Sequence, residues 1–116
     1  SLLALNHFKK MMEIRPDDAE GYYYYGNLQI GDNKAKYWLE AITRNPRYWP
    51  AHLNLVSYYQ QAQDDAKTAV HITQLLRWNQ DILKACDEDL KQNLIKVYRD
   101  LGKKGFKLPD MPGIDG

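Results

Sequence analysis

Apolar residues recur at intervals of three or four along most of the chain, and polar residues fill the positions between them. This spacing gives a helix one apolar face, so it predicts amphipathic helices and not strands. Prolines, a Gly-Asp pair and clusters of acidic residues interrupt the pattern and separate the helices. The predicted helices are Leu2–Ile14, Ala19–Ile30, Lys34–Arg44, Trp49–Ala62, Ala66–Trp78 and Leu90–Leu101.

Residues that end or start helices mark the breaks. Pro16 and Pro46 disfavour the α region for the residue before them, so each is expected to end a helix. Asp17 or Asp18 is suited to cap the second helix, because a short carboxylate accepts from the free N–H groups of a first turn. Gly31 is expected at the left-handed position that follows the second helix.

The stretch Asn79–Asp89 supports two interpretations. The spacing of Ile82 and Leu83 continues a helix, whereas the acidic residues Asp87–Asp89 are typical of a new helix start. The sixth helix then follows, and Gly102 is expected to cap its C-terminus.

The composition is that of a folded globular protein. A chain of 116 residues is long enough for one domain with a modest core. Its residues are 44% hydrophobic and 27% charged, and nine Tyr and three Trp accompany only two Phe. The polar tips of Tyr and Trp suit half-buried positions. No run of about 18 apolar residues is present, so no membrane insertion is expected.

The helical pattern restarts after each of the two central prolines, so one supersecondary unit recurs. The stretch Ala19–Pro46 contains the unit complete, as two helices joined at Gly31. Gly26 and Ala41 are small enough to let these helices approach closely, and Trp38 is expected to fill the space beside them.

This arrangement resembles the tetratricopeptide repeat (TPR) family, and the resemblance covers almost all of residues 2–105. Val56 replaces a glycine, Gln80 replaces a proline, and the first proline-to-proline spacing is about four residues shorter than the family period. The matching positions are Tyr22, Tyr25, Gly26, Trp38, Ala41 and Pro46 in one repeat, Ala4, Phe8 and Pro16 before it, and Leu55, Tyr59, Asp64, Ile72, Leu75, Leu94, Tyr98 and Gly102 after it.

The resemblance implies an all-α, TPR-like helical-repeat solenoid of antiparallel helix pairs, with about six helices, over residues 1–105. A Pro/Gly-rich tail occupies 106–116. The chain begins without Met and in mid-pattern, so we expect it to be a piece of a longer protein. The expected parts of the solenoid are a half repeat at 1–16, repeats at 17–46 and 47–80, and a terminal helix at 87–102. An irregular helical bundle is the alternative architecture.

TPR proteins bind partners in a groove lined by the first helix of each pair, so the resemblance implies a non-catalytic protein–protein interaction module that binds an extended peptide or a helix. The alternative is a structural or regulatory spacer in a larger parent protein, which could be membrane-associated. The expected groove residues are Tyr23, Tyr24, Asn27, Ile30, Asn54, Ser57 and Gln61, followed by Gln92 and Lys96 beyond the ambiguous stretch.

The four consecutive tyrosines cannot all face one way, because each residue of a helix turns by about 100°. Tyr22 and Tyr25 are expected in the core, whereas Tyr23 and Tyr24 are expected to face the groove or solvent. Exposed tyrosines are good anchors for a peptide. The alternative is that both only pack against neighbouring helices.

Some TPR grooves hold a partner's C-terminal carboxylate in a clamp of Lys, Asn and Arg. Asn27 and Asn54 stand at the two asparagine places, but Tyr23 replaces the lysine and no basic residue is placed on the third wall. Capping of backbone groups or contact with water explains the asparagines equally well.

No catalytic, metal or cofactor site is predicted. His7, His52 and His71 lack the spacing of a metal-ligand motif, and no phosphate-binding glycine loop or GxSxG sequence is present. Cys86 is the only cysteine, which fits a reducing compartment such as the cytoplasm without excluding an oxidising one.

The charge and the first helix bear on partners. The net charge of +1 disfavours nucleic acid, whose binding proteins carry a strong basic excess.

The first helix has no pair-mate in the sequence, so its apolar face is expected to promote self-association through Leu2–Met12.

Overall fold

The computed structural model describes residues 1–116 and contains six α-helices, one short 3-10 helix and no strand, which confirms the all-α prediction. No helix combines the length and the apolar character needed to cross a bilayer. The helices are α1 (Leu2–Ile14), α2 (Ala19–Asn27), α3 (Asp32–Arg44), α4 (Trp49–Gln61), α5 (Asp65–Trp78) and α6 (Glu88–Lys103), and the 3-10 helix is Ile82–Ala85.

Helix α2 is shorter than predicted, because it ends at Asn27 and not at Ile30. After Asn27 the backbone N–H groups of Leu28 and Gln29 donate to carbonyls three residues back, at 3.1 Å each, which closes the last turn. Gly31 has a φ of +59°, the left-handed value predicted for it, but it lies at the N-cap of α3 and not at the end of α2.

Two expectations near α6 are also corrected. The ambiguous stretch forms the 3-10 helix, and α6 then starts afresh after Asp87, whose carboxylate accepts from Leu90 N–H at 2.8 Å. Gly102 does not cap α6 but lies inside it, and the left-handed glycine is Gly105, with a φ of +96°.

The chain divides into two compact units, Ser1–Leu55 and Val56–Gly116, and the division falls within α4. In the first unit α1 packs against α2, and α2 packs against α3. Gly21 of α2 lies against Met11 of α1, and the ring of Tyr22 lies under Arg44 near the end of α3.

Small residues bring α2 and α3 together. A Cβ built on Gly26 would lie 2.9 Å from Cδ1 of Trp38 and 3.1 Å from Cβ of Tyr37, so the helices touch where glycine has no side chain. Ala41 of α3 is fully buried, and Trp38 is 7% exposed. The expected pairing of a large aromatic with small residues is therefore present in this helix pair.

The second unit has the larger apolar core. The ring of Tyr59 stacks on that of His71 with 5.5 Å between centroids, and Lys104, directly after α6, forms an ion pair with Asp65 at the start of α5 at 2.9 Å. Its buried apolar side chains are Val56, Tyr59, Ala69, Ile72, Leu75, Leu76, Ile82, Leu83, Leu94, Ile95, Val97, Leu101 and Met111.

The Pro/Gly-rich tail packs on the second unit. Met111 is 3% exposed, and the hydroxyl of Tyr98 on α6 donates to the carbonyl of Pro109 at 2.7 Å. Arg99 forms an ion pair with Asp115 at 3.1 Å. The tail therefore belongs to the core of this unit, because it supplies a buried side chain as well as surface contacts.

Candidate functional site

Four aromatic rings form a continuous ladder on the first unit, and we call Phe8, Tyr24, Tyr23 and Tyr48 the aromatic ladder. Phe8 of α1 stacks on Tyr24 at 5.1 Å between centroids. Tyr24 meets Tyr23 edge to face at 5.0 Å, and Tyr23 meets Tyr48 edge to face at 5.3 Å. Such spacings are typical of favourable aromatic pairs, so α1, α2 and the turn before α4 are joined by one set of rings.

The ladder is open to solvent along part of its length. Tyr24 is 37% exposed, whereas Phe8, Tyr23 and Tyr48 are half-buried. Burial raises the pKa of the Tyr48 hydroxyl, and the nearby phenol of Tyr24 and carboxylate of Glu20 raise it further. Tyr48 therefore stays neutral, and the ladder presents apolar ring surface with polar hydroxyl tips.

The two asparagines predicted for the groove lie together and hold a core residue. The side-chain oxygen of Asn27 accepts from Nε1 of Trp38 at 2.9 Å and from the side-chain amide of Asn54 at 3.1 Å. Lys34 donates to the backbone carbonyl of Asn27 at 2.9 Å. Asn27 therefore links α2 to α3 through Trp38 and Lys34, and to α4 through Asn54.

This network bears directly on the carboxylate clamp. In a clamp the asparagine amide groups donate to the bound carboxylate, but the amide of Asn54 already donates to Asn27. Lys34, the basic residue beside the network, is engaged with the Asn27 carbonyl. The Asn27 and Asn54 side chains therefore bond to each other and to Trp38, which is neither the clamp geometry nor the backbone capping or water contact expected as its alternative.

The other predicted groove residues are scattered over different elements. Ile30 is 84% exposed and lies in the connection between α2 and α3, because α2 ends before it. Ser57 is half-buried and Gln61 exposed, and both belong to the part of α4 in the second unit. Gln92 and Lys96 are exposed on α6, where Gln92 bonds to Glu88 at 2.9 Å.

The other two tyrosines of α2 face α3, but neither is fully buried. The guanidinium of Arg44 lies 3.8 Å from the ring centroid of Tyr22, and the Tyr22 hydroxyl donates to the carbonyl of Pro16 at 3.1 Å. Tyr25 meets Tyr37 edge to face at 4.7 Å. The expectation of core positions is corrected to half-buried positions, because the polar hydroxyl keeps one end of each ring near the surface.

Sequence reasoning missed Tyr48 and Phe8 as neighbours of Tyr23 and Tyr24. The sequence signal for these two neighbours was that aromatic residues flank the first complete repeat on both sides. Phe8 matched only a core position of the resemblance, and Tyr48 lies in a turn that no helical pattern covers. Their contact with α2 depends on how the helices cross, which periodicity alone does not give.

His52, His71 and Cys86 each contact another group of the chain. No group of three or more His, Cys, Asp or Glu side chains is placed to hold a metal ion. His52 is buried, with Nε2 2.9 Å from the carbonyl of Pro46, and His71 packs on Tyr59. Burial raises the pKa of the Cys86 thiol, and the Asp87 carboxylate adds to this effect. A thiol with a raised pKa is a poor nucleophile.

The second unit has a separate polar cleft of about 230 Å³ beside the α4–α5 turn. Its walls include Asp100 and the ion pair of Lys104 with Asp65. Both members of this ion pair are about half exposed, so water screens their charges.

Comparison of the chain with protein families, curated proteins and solved structures gives no match. The function proposed for the chain therefore rests on its own geometry.

Proposed function

We propose that the chain is a TPR-like, non-catalytic interaction module, and that it binds an extended segment or a helix of a partner protein over the aromatic ladder. The single observation that carries this proposal is the ladder of four rings, one of them 37% exposed, that joins α1, α2 and the turn before α4. Exposed tyrosines provide large, rigid contact area at low entropic cost, so they are common anchors of protein interfaces.

A recurring turn supports the repeat part of the proposal. The residue after each of α1, α3 and α5 donates its N–H to the carbonyl four residues back, and its own carbonyl accepts from the N–H three residues on. These residues are Arg15, Asn45 and Asn79, with distances of 2.8, 2.9 and 2.8 Å for the first bond and 3.1, 3.0 and 3.1 Å for the second. The later two are 34 residues apart, which is the period of a TPR array.

The same turn forms where Gln80 replaces the proline of the repeat pattern. Pro46 occupies the position after Asn45, and Gln80 occupies the equivalent position after Asn79 without loss of the turn. The chain beyond the third turn differs from the earlier two, because this turn leads into the short 3-10 helix and not into a full helix. The helical restart is thereby delayed until Asp87.

The test is selection of peptides from a random display library by the wild-type chain and by a Tyr23→Ser/Tyr24→Ser variant. We expect sequences that are enriched by the wild type and lost by the variant, because the substitutions remove the central rings and keep hydroxyl groups. Leu39→Ser, which removes a 36% exposed apolar side chain from α3, is the matched control. Circular dichroism must first find all three chains equally helical. Equal enrichment by wild type and variant would refute binding over the ladder.

A second candidate function, a structural spacer within a larger protein, is favoured by the surface of α1. This helix contains no buried residue, and Leu2, Leu3 and Ile14 are 72%, 83% and 65% exposed. Exposed apolar side chains on one helix are typical of a surface that packs against another element. The peptide selection separates the two functions, since a spacer needs no peptide that depends on Tyr23 and Tyr24.

A further inference from the structure

The aromatic ladder has an acidic residue beside it. Glu20 lies in the first turn of α2, three residues before Tyr23 and four before Tyr24, so the three side chains share one face of the helix. The Glu20 side chain is exposed and forms no ion pair within the chain. The charge of Glu20 also raises the pKa of the nearby Tyr48 hydroxyl, so Tyr48 belongs to the same cluster of side chains.

From this arrangement we infer that Glu20, Tyr23, Tyr24 and Tyr48 form a site for an arginine side chain of the partner segment, which we call the tyrosine–acid site. The inference rests on the proposed function and specifies the chemistry of what is bound. Aromatic rings attract a cation over their faces, and the planar guanidinium adds stacking. The carboxylate of Glu20 supplies the opposite charge. A purely apolar or proline-rich segment has no cation to pair with it.

The chain contains the same combination within itself. The guanidinium of Arg44 lies 3.8 Å from the ring centroid of Tyr22 and also pairs with the carboxylate of Glu40. A tyrosine face, a guanidinium and a glutamate thus assemble on the α2–α3 side of the first unit. The tyrosine–acid site offers the ring faces and the glutamate, but no arginine of the chain lies over the rings of Tyr23 or Tyr24.

Part of the ring surface at the tyrosine–acid site is open to solvent. Phe8 covers one face of Tyr24 in a stacked arrangement, and 37% of Tyr24 remains exposed. The carboxylate of Asp18 accepts from the N–H of Glu20 at 3.0 Å, which holds it at the N-cap, and its charge, like that of Glu20, raises the pKa of Tyr48. The site therefore carries negative charge from two carboxylates beside open ring surface.

The experiment titrates the full chain with the capped tripeptide acetyl-Gly-Arg-Gly-amide and follows the tyrosine ring resonances by NMR. Tyr→Phe variants assign the signals of Tyr23 and Tyr24. We expect these signals to shift and the arginine side-chain protons to move upfield, as protons over an aromatic ring do. The citrulline peptide, which has the same shape without the charge, should bind at least about threefold more weakly, given the usual strength of a cation–π contact.

Two matched variants test the carboxylate. Glu20→Gln should weaken the arginine peptide about twofold to fivefold, the range typical of exposed charge pairs. Glu88→Gln, which removes the equivalent first-turn acid of α6, should leave the affinity unchanged. Equal binding of the arginine and citrulline peptides, or an unaffected Glu20→Gln variant, would overturn the inference.

The outcomes also separate this inference from the proposed function. If peptides selected by the chain shift the signals of Tyr23 and Tyr24 whether or not they contain arginine, the binding face stands and cation recognition is refuted. A proline-rich peptide that binds more tightly than its arginine counterpart would also refute cation recognition and leave the binding face intact. If neither the arginine peptide nor any selected peptide shifts these signals, both proposals fail.

Discussion

The side-chain oxygen of Asn27 lies 2.9 Å from Nε1 of Trp38, and this bond joins the end of α2 to the middle of α3. Trp38 is 7% exposed, so its N–H group has little access to water as an alternative partner. Asn27, which the sequence suggested as a peptide-binding residue, therefore positions the Trp38 side chain.

Substitution of Asn27 by alanine should destabilise the chain by about 1–3 kcal/mol, because it leaves the buried indole N–H of Trp38 without its acceptor. Asn54→Ala should cost less, since the Asn27 oxygen still accepts from Trp38 in that variant. Urea unfolding followed by tryptophan fluorescence measures both effects. An Asn27→Ala variant with the urea midpoint of the wild type would contradict this account of the asparagine.

The two helical glycines Gly26 and Gly102 should respond to alanine in opposite directions. A Cβ at Gly26 would lie 2.9 Å from Cδ1 of Trp38, so Gly26→Ala forces the α2–α3 pair apart and should cost about 1–3 kcal/mol. Gly102 lies inside α6 with no atom within 4 Å of such a Cβ. Gly102→Ala should therefore stabilise by about 0.5–1 kcal/mol, because alanine loses less backbone entropy in a helix.

Thermal unfolding of both variants by circular dichroism makes the comparison. Equal melting temperatures for the two variants would contradict the close approach at Gly26. A lowered melting temperature for Gly102→Ala would contradict its assignment to the interior of α6.

Local chemistry predicted some elements closely. The helix α1 has the bounds expected from its apolar spacing and Pro16, and Asp18 caps α2 as one of the two predicted acids. These features depend on residues within one turn of each other, so the sequence alone was sufficient. The end of α6, predicted at Gly102, was not fixed locally in this way. The helix continues through Gly102 to Lys103, and the left-handed glycine follows at Gly105.

The candidate site was predictable only in part for the same reason. The positions of Tyr23 and Tyr24 follow from the 100° turn per residue. The contact of Tyr23 with Tyr48 and the bond of Asn27 with Trp38 depend on how α2 meets its neighbours, which the close approach at Gly26 sets. Periodicity indicates which face of a helix is apolar, but not which residue of another helix that face meets.

The exposed apolar residues of α1 should promote association between copies of the chain. Leu2 and Leu3 are 72% and 83% exposed, at the start of the segment Leu2–Met12 that the sequence indicated. Leu3→Glu should therefore reduce self-association, because it places a charge on that surface. Sedimentation velocity over a hundredfold range of concentration measures the effect. Val70→Glu, at a 54% exposed position of α5, is the control, and a wild type that stays monomeric throughout would refute the prediction.

The buried His52 should make the stability of the chain depend on pH. Its ring is 3% exposed, and Nε2 lies 2.9 Å from the carbonyl of Pro46, which can only accept. Burial lowers the pKa of His52 below its ordinary value of 6.5, and the hydrogen bond to Pro46 opposes this effect without cancelling it. The unfolded chain therefore takes up the proton at a higher pH than the folded chain does.

This difference fixes the direction of the pH dependence. Well above pH 6.5 both states hold His52 neutral, and it contributes no slope. As the pH falls through 6.5 towards the lowered pKa, protonation favours the unfolded state and stability declines. The slope due to one histidine is at most about 1.4 kcal/mol per pH unit, and it ends once the folded state is protonated as well. Urea unfolding of the wild type and of His52→Gln between pH 7.5 and pH 5 measures the difference between the two profiles. Glutamine can still donate to Pro46 but does not titrate, so its profile should be flatter in this range. Parallel profiles for the wild type and His52→Gln would mean that His52 takes up its proton equally in both states.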